Sequence, residues 1–585
     1  MSLARMMALC ALFAGGAQQP PPAAAPAAGP ELADSAGGYR SRLAVLALAT
    51  GRVPRADGFI DPPRGAAVPW PPLFPALLQR VIRRALPGSK QAAERGELDQ
   101  ARFEQAAARL IPWVALLGAA LAGWCAHVLT AARGSHGRVS HAARSWSVFV
   151  AVLCALLILN RPVVPRPVRL ETGPYVAVFA FAAIAIGAWA LQGKLLVDRM
   201  IAALLAGFFC GLAFMCAVET WPIAACTFAG LFVAARRRGE ELADVVRGQM
   251  VFLMPLLAVV LVPRSAIPWG SLAPSWELGW RGMLATSGQL WSYGVVFPIA
   301  WCCSWSRPRS LATSLLLLLA ASSFVLGVLD RRFEVCFGAA FVCTLAVALQ
   351  ELWIRTAGFT RAVLGLTALL VLSLSAVRLH VSVGTSSPAH PESWSPPDAG
   401  YVAGLTWMRD NTPSSGAWNH PDAHQDWSVM CDPLLAGSVV WLARRPVAAA
   451  TFAGASIDDR QRAVARALLC ADPSEFTGEL HAFNTPWVVA APRQLADIEA
   501  LRKLARAGEV GESALADTAL ARLALAGADA PPDHYPGLER VYVSEVLERV
   551  PASRSAAGPV SAPSISIYRL TAPAPGRPEA SLKLR

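Results

Sequence analysis

The chain has 585 residues and a formal net charge of +12, and 55% of its side chains are hydrophobic while only 16% are charged. Soluble domains carry about 25% charged residues, so this composition excludes an ordinary soluble protein and predicts that much of the surface faces lipid. The positive charge does not indicate a nucleic-acid partner. Within residues 111–378 the basic residues lie largely in short loops between apolar stretches, where the positive-inside rule places them.

The first 30 residues form a signal-like segment. Arg5 precedes the short apolar run 6–13, and a linker rich in Pro and Ala follows up to residue 30. This pattern is typical of a secretory signal peptide. A first transmembrane segment acting as a signal anchor, or a misassigned start codon, are the alternatives. In each case residues 31–110 form the first external loop.

Ten apolar stretches in series predict a polytopic α-helical membrane domain over residues 111–378, with about 10–11 transmembrane helices if the N-terminal segment is counted. The predicted spans are 111–131, 146–160, 175–193, 200–218, 222–235, 250–263, 291–305, 311–329, 333–353 and 362–377. Several are shorter than the ~20 residues that a straight span needs. Their limits are therefore approximate.

Basic residues in alternate loops predict the orientation. The loops that carry them are 133–144, 194–199, 236–247, 307–309 and 355–361. Placing these loops in the cytoplasm puts the other loops and residues 379–585 outside. The sequence therefore predicts a multi-pass protein of the cytoplasmic (inner) membrane with an extracytoplasmic C-terminal domain.

The C-terminal domain, residues 379–585, has a mixed α/β pattern. Segments 398–410, 458–471 and 494–507 are predicted helices, and 487–491 and 564–568 are short apolar or alternating segments typical of strands. We therefore expect a polytopic helical membrane domain followed by a soluble mixed α/β domain.

Motifs along nearly the whole chain resemble one known family. Residues 55–65 read RADGFIDPPRG and 68–74 read VPWPPLF, while 405–413 read LTWMRDNTP and 441–447 read WLARRPV. In this order they resemble the first external loop, the "WLRENTP" segment and the "YLANRPV" segment of the oligosaccharyltransferase catalytic subunit. The closing segment 567–570, IYRL, is similar to a terminal strand of that family.

The resemblance implies a GT-C glycosyltransferase. Members have a helical membrane domain whose active site lies on the outer face, and a mixed α/β domain covers it. The implied reaction moves a glycan from a polyprenyl (pyro)phosphate donor in the membrane lipid to an asparagine of a translocated protein. The implied cofactor is Mg²⁺ or Mn²⁺, bound by carboxylates of the external loops.

Three outward acids are the implied catalytic residues: Asp34, Glu171 and Glu277. Asp34 and Glu171 lie at the places of the family's two acidic motifs and are the implied metal ligands. Carboxylate oxygens suit Mg²⁺ and Mn²⁺. A linker acid, a helix-dipole partner and a solvated loop acid are the respective alternatives for the three residues.

Outward arginines are the candidate binding residues for the donor phosphate. Arg331 and Arg332 lie at the outer end of two long spans, against the positive-inside tendency, and Arg161 belongs to a second outward basic cluster. A lipid phosphate is a suitable partner for these guanidinium groups. Contact with ordinary lipid headgroups is the alternative.

The acceptor motif departs from the family pattern. In the family, "WWDYG" reads the hydroxyl of the Asn-x-Ser/Thr acceptor, whereas residues 433–437 here read PLLAG. Gly437 survives and Asp432 stands three positions early, so these two are the candidate acceptor-binding residues. Loss of a hydroxyl-binding group weakens discrimination for the hydroxyl.

This departure leaves several functions open. The protein is a glycosyltransferase acting on protein, a GT-C transferase acting on a lipid or cell-wall acceptor, or a non-catalytic relative or transporter. Transporters usually place broken spans or polar residues near the midplane. Here the acids cluster at the outer margin, which favours an enzyme.

Overall fold

The computed structural model is described here for a defined set of residues. These are 35–62, 65–68, 73–108, 111–131, 150, 173–192, 196–216, 220–261, 301, 311–329, 333–355, 399–415, 418–422, 425–433, 435–450, 459–505, 517–550 and 560–571. They comprise an N-terminal helical layer, a group of long apolar helices and a C-terminal α/β region.

Residues 35–108, which lie within the predicted first external loop, form an N-terminal layer of compact helices. Its elements are α1 (Ser35–Thr50), β1 (Ala56–Asp57), β2 (Ala66–Ala67), α2 (Leu73–Ala85), α3 (Ser89–Glu94) and α4 (Gln100–Ala108). Helix α2 is amphipathic and buries Phe74, Leu78 and Ile82, which recur every four residues. Helix α1 is buried on all sides from residue 38 to residue 48, so it lies inside the layer.

The described residues then form seven long helices. They are α5 (Ile111–Ala131), α6 (Gly173–Gln192), α7 (Leu196–Cys216), α8 (Trp221–Arg237), α9 (Leu242–Leu261), α10 (Leu311–Leu329) and α11 (Glu334–Arg355). Helix α6 packs against α5 and α7, α7 packs against α9, and α10 packs against α11. Among the described residues, Leu196–Cys216, Leu242–Val260 and Cys336–Trp353 are long and apolar enough to cross a membrane. These are the helices of a membrane protein.

Seven of the predicted spans coincide with these helices, and two of them, 111–131 and 311–329, have the predicted limits. The predicted span 250–263 begins too late, because α9 starts at Leu242 with a polar turn that hydropathy alone does not count. The predicted spans 146–160, 291–305 and 362–377 lie outside the described residues, apart from residues 150 and 301.

Helices α7 and α9 pack closely on one side and are apolar on the other. A Cβ on Gly207 would lie 2.0 Å from the carbonyl oxygen of Phe252, so only a glycine permits this approach. The opposite face of α9 is exposed and apolar at Leu242, Val246, Met250, Met254 and Leu257. This stripe suits contact with lipid.

The C-terminal region is mixed α/β, as the sequence predicts. Its helices are α12 (Ala399–Asn411), α13 (Ala436–Ser438, continued by a π-helical turn, Val439–Ala443), α14 (Asp459–Leu469), α15 (Pro473–Ala482), α16 (Ile498–Ala505, preceded by a 3₁₀ turn, Pro492–Asp497) and α17 (Ala519–Ala524). Its strands are β3 (Val429–Met430), β4 (Trp487–Ala490), β5 (Leu538–Val543), β6 (Leu547–Val550), β7 (Val560–Pro563) and β8 (Ser566–Leu570).

The sheet order is β3-β4-β8-β5. Strand β3 runs parallel to β4, and β8 is antiparallel to both β4 and β5. The predicted helices 398–410 and 458–471 match α12 and α14 within two residues. The predicted helix 494–507 instead begins as a 3₁₀ turn that Pro492 opens.

The N-terminal layer and the C-terminal region share one apolar core. Tyr39, Phe74 and Phe103 from the first lie in the same cluster as Leu405 and Trp441 from the second. Val176 near the start of α6 and Cys216 at the end of α7 join this cluster. The two segments therefore fold as one layer over the helical group. The predicted domain limits 31–110 and 379–585 stay predictions.

Candidate functional site

Most of the predicted site residues lie outside the described residues. These are Asp34, Glu171, Glu277, Arg161, Arg331 and Arg332. For four of them, described residues lie within two positions in sequence: α1 begins at Ser35, α6 begins at Gly173, and α10 and α11 flank residues 330–332. The roles assigned to these six residues stay predictions.

Gly437 lies against the beginning of α1. A Cβ added to Gly38 would lie 3.0 Å from the carbonyl oxygen of Gly437 and 3.1 Å from Cβ of Trp441. Gly38 follows Asp34 by four residues. The fold therefore brings Gly437, a candidate acceptor-binding residue, to the first turns of α1, the helix that begins directly after Asp34.

Asp432, the other candidate acceptor-binding residue, is buried. Its exposed fraction is 1%, and its backbone carbonyl accepts a hydrogen bond from the Leu435 amide at 2.9 Å. It acts electrostatically on Tyr401, whose ring lies 4.9 Å from the Arg493 guanidinium. Burial, above all, raises the pKa of Tyr401. The Asp432 carboxylate belongs to this interior cluster, and its role toward an acceptor stays a prediction.

Trp441 connects three elements near Gly437. Its Nε1–H donates to Oε1 of Glu104 on α4 at 2.9 Å. Its ring lies 5.4 Å from the Phe103 ring and 5.8 Å from the Trp418 ring. The Trp418 Nε1–H in turn donates to the carbonyl of Val440 at 3.1 Å. The π-helical turn is thus held from both sides.

The same contact places Glu104 in an apolar environment. Burial raises the pKa of Glu104 to about 7, while the hydrogen bonds from Trp441 and Gln100 act in the opposite direction. Asp99, the residue before α4, raises the pKa further. Glu104 therefore changes its charge near neutral pH.

Arg42 and Asp57 form a two-pronged ion pair inside the N-terminal layer. Nε and Nη2 of Arg42 donate to the two carboxylate oxygens of Asp57, each at 2.8 Å, and both side chains are fully buried. The Arg42 guanidinium also donates to the carbonyl of Trp418 and lies 4.1 Å from the centre of the Phe59 ring. The pair joins α1 to β1, and the bond from Arg42 to Trp418 joins α1 to the C-terminal region.

Neither a protein-family model nor a curated protein sequence matches the chain. Solved structures do. The oligosaccharyltransferase of Archaeoglobus fulgidus in its apo form matches with a TM-score of 0.68 and 13% identity, over 97% of this chain and 88% of that chain. This chain has the fold of an archaeal oligosaccharyltransferase. The resemblance predicted from the sequence motifs is confirmed at the level of the fold.

Two further structures of the same archaeal enzyme match over the same shares of both chains. The complex with an inhibitory peptide and a dolichol-phosphate gives a TM-score of 0.66 at 12% identity. The complex with Zn and sulfate gives 0.64 at 14% identity. Because the match covers nearly the whole chain, the oligosaccharyltransferase-like fold includes both the helical domain and the C-terminal domain.

A metal site is not found in the described part of this oligosaccharyltransferase-like chain. No group of three or more His, Cys, Asp or Glu side chains there could hold a metal ion. Asp57 is unsuitable because both of its oxygens bind Arg42. The acids predicted as metal ligands, Asp34 and Glu171, lie outside the described residues.

Sequence reasoning missed three residues of this region: Arg42, Glu104 and Trp441 as an indole donor. The two arginines of α1, Arg40 and Arg42, directly before its apolar run, were the available signal for Arg42, since an unpaired buried charge is costly. Glu104 had no such signal, because its partner lies 337 residues away in the chain.

Proposed function

We propose that the protein is a membrane glycosyltransferase that transfers a glycan from a polyprenyl (pyro)phosphate to an acceptor outside the cytoplasm. The observation that carries the proposal is the packing of Gly437 on Gly38 within an oligosaccharyltransferase-like fold. It brings the acceptor-motif segment to the helix that follows Asp34. The start of α6, two residues after Glu171, contributes Val176 to the same core.

The proposed donor is a polyprenyl-linked sugar. The archaeal enzyme with this fold is described in complex with a dolichol-phosphate. Arg331, Arg332 and Arg161 are proposed to bind the donor phosphate, because guanidinium groups match phosphate oxygens in charge and geometry. Their predicted positions at the outer ends of spans suit a headgroup at the membrane surface.

The proposed cofactor is Mg²⁺ or Mn²⁺ held by Asp34 and Glu171. A hard divalent ion prefers carboxylate oxygens, and when bound it would stabilise the charge that develops on the leaving phosphate. The archaeal enzyme is described in a complex with Zn and sulfate. Glu277 is proposed as a third acid of the site.

The transfer step exchanges one bond at the sugar. The acceptor nitrogen or oxygen forms a bond to C1 of the sugar while the bond from C1 to the phosphate oxygen breaks. The phosphate leaves with the bonding electrons, and a carboxylate of the site accepts the acceptor's proton. Asp34 and Glu277 are the candidates for positioning the acceptor and taking this proton.

The proposed acceptor is an asparagine of a translocated protein, since the archaeal enzyme is described with an inhibitory peptide. A second candidate is a lipid or cell-wall acceptor. It is favoured by the apolar sequence PLLAG at residues 433–437 and by the burial of Asp432. In the described part of residues 432–437, therefore, no exposed carboxylate is available to accept a hydrogen bond from a hydroxyl group of the acceptor.

The proposed location is the cytoplasmic membrane, with the layer formed by α1–α4 and the C-terminal region on the outer side. Arg236 and Arg237 lie in the last turn of α8, next to a loop predicted to be cytoplasmic. They support this orientation because cytoplasmic loops are enriched in Arg. Cysteine labelling with a membrane-impermeant maleimide at residue 459, after Asp459→Cys, tests it in intact cells.

The decisive experiment uses the full chain in liposomes with a labelled polyprenyl-pyrophosphate glycan. An Asn-x-Thr peptide, the same peptide with Gln for Asn, and a lipid acceptor are offered in parallel. We expect metal-dependent transfer that EDTA abolishes, and a loss of at least about a hundredfold in Asp34→Ala and Glu171→Ala. Asp459→Ala, an exposed acid on α14, is the matched control. Unchanged turnover in both site variants would remove the proposed roles.

A further inference from the structure

We propose that Trp441 is a positioning residue that holds the segment of residues 436–443, which includes Gly437, against α1 and α4 through its hydrogen bond with Glu104. The catalytic consequence rests on the proposed function, whereas the contact itself does not. The segment contains Gly437 and has no charged side chain. Its placement therefore depends on packing and on a few hydrogen bonds.

Trp441 is deeply buried within an irregular turn. Only 1% of it is exposed, and it lies in the π-helical turn that continues α13. Such turns insert an extra residue into a helix and often occur at functional sites. Here the turn directs a large indole into the core between Phe103 and Trp418.

The buried indole needs one specific partner. An indole N–H can only donate, and it usually has an acceptor when buried. Glu104 supplies that acceptor at 2.9 Å, and Gln100 on the same helix donates to the backbone carbonyl of Trp441 at 3.4 Å. Helix α4 thus holds both the side chain and the backbone of Trp441.

The consequence for the site follows from the spacing of residues. Gly437 precedes Trp441 by four residues, about one helical turn, and both contact Gly38. A shift of Trp441 therefore moves Gly437 relative to the first turns of α1, directly after Asp34. Misplacement of a reacting group by about 1 Å can reduce the rate about a hundredfold.

Because Glu104 is ionisable, the stability of its contact with Trp441 should depend on pH. Asp99 is the charged group that acts on Glu104 from its own chain segment. Trp441 and Gln100, the hydrogen-bond partners of Glu104, are uncharged, and the guanidinium of Arg444 donates to the carbonyls of Gly96 and Leu98. Any opening that exposes Glu104 to water releases a proton near neutral pH, so a rise in pH favours opening.

The test measures amide hydrogen exchange of residues 435–443 in the full chain at pH 6 and pH 8, corrected for the intrinsic exchange rate. We expect Trp441→Phe, which keeps a ring but loses the donor, to exchange about tenfold faster than wild type. In wild type the protection should fall from pH 6 to pH 8, and in Glu104→Gln it should not change with pH. Tyr568→Phe, which loses a buried donor to Leu523, is the matched control.

Kinetics separates positioning from simple stability. We expect Trp441→Phe to raise KM for the acceptor about fivefold or more while KM for the donor stays unchanged. Acceptor KM in wild type should rise from pH 6 to pH 8 and stay level in Glu104→Gln. Equal changes in both KM values, or a Tyr568→Phe variant with the same defects, would contradict the positioning role.

The outcomes distinguish this inference from the proposed function. Exchange that responds to Trp441→Phe in a protein without transfer activity supports the contact and overturns the proposed function. Active protein whose exchange and acceptor KM do not change in Trp441→Phe overturns the inference alone. If Trp441→Phe does not fold, Glu104→Gln decides, because it retains an acceptor oxygen and changes only the response to pH.

Discussion

Arg42 and Asp57 are joined by two hydrogen bonds of 2.8 Å in the interior of the protein, and neither side chain has any solvent exposure. The pair connects α1 to the β1–β2 hairpin. Through the bond from Arg42 to the Trp418 carbonyl, it also connects both elements to the C-terminal region. The layer above the membrane helices is therefore held together by a buried charge pair as well as by its apolar core.

Removing one member of this pair should strongly destabilise the fold. Asp57→Asn or Arg42→Met leaves an uncompensated buried group, which typically costs about 3–5 kcal/mol. The double variant Arg42→Met with Asp57→Leu should recover most of that loss, because it leaves no buried charge. Thermal unfolding in detergent measures both effects. Asp459→Asn, from an exposed pair with Arg462, should change little.

Replacing Glu104 by Gln should change how stability depends on pH. Burial raises the folded-state pKa of Glu104 from 4.5 to about 7, so the folded protein holds this proton more tightly than the unfolded chain. The stability linked to it is fully present below pH 4.5 and is lost as pH rises through about 7.

Glu104→Gln should therefore be more stable than wild type at pH 8, by at most about 3 kcal/mol, and the difference should vanish near pH 5. Thermal unfolding across pH 5 to 8 measures the two curves. Parallel curves for the two proteins would show that Glu104 does not titrate in this range.

Substituting Gly38 should disturb the contact between α1 and the acceptor-motif segment. A Cβ at this position would lie 3.0 Å from the Gly437 carbonyl, so Gly38→Ala must displace one of the two elements, at a cost of about 1–3 kcal/mol. The matched control is Gly478→Ala in α15, where a Cβ meets nothing within 4 Å. That control should stabilise the protein by about 0.5–1 kcal/mol. Equal effects of the two substitutions on unfolding temperature would contradict the close packing.

The same comparison applies among the long helices. Gly207→Ala places a Cβ 2.0 Å from the Phe252 carbonyl, and a backbone atom cannot move aside without separating α7 from α9. We expect loss of monodisperse protein in detergent chromatography, or a large fall in unfolding temperature. Gly248→Ala on α9, which faces open space, should not lower the unfolding temperature.

Local pattern determined the elements that depend only on neighbouring residues. The apolar runs 111–131 and 311–329 have the limits of α5 and α10, because the length of an uncharged run and its hydropathy are properties of the run itself. The family motifs also predicted the fold, because each motif is a short run of neighbouring residues that can be compared without the tertiary structure. The polar first turns of α9 were missed because hydropathy alone does not count them, and the helices within 35–108 were missed because their burial comes from distant partners. Only the spacing of Phe74, Leu78 and Ile82 offered a local sign.

Amino-acid order alone therefore predicted a membrane protein of an oligosaccharyltransferase-like fold. It also predicted Gly437 and Asp432 as acceptor-binding residues. Only the tertiary structure placed Gly437 on Gly38, moved Asp432 into an interior cluster, and joined Trp441 to Glu104 across 337 residues. Hydropathy and helix propensity act over a few residues, whereas these pairs form only when α1, α4 and the π-helical turn pack into one core. These residue pairs are therefore stabilised by the packing of the whole assembled layer and not by any single segment.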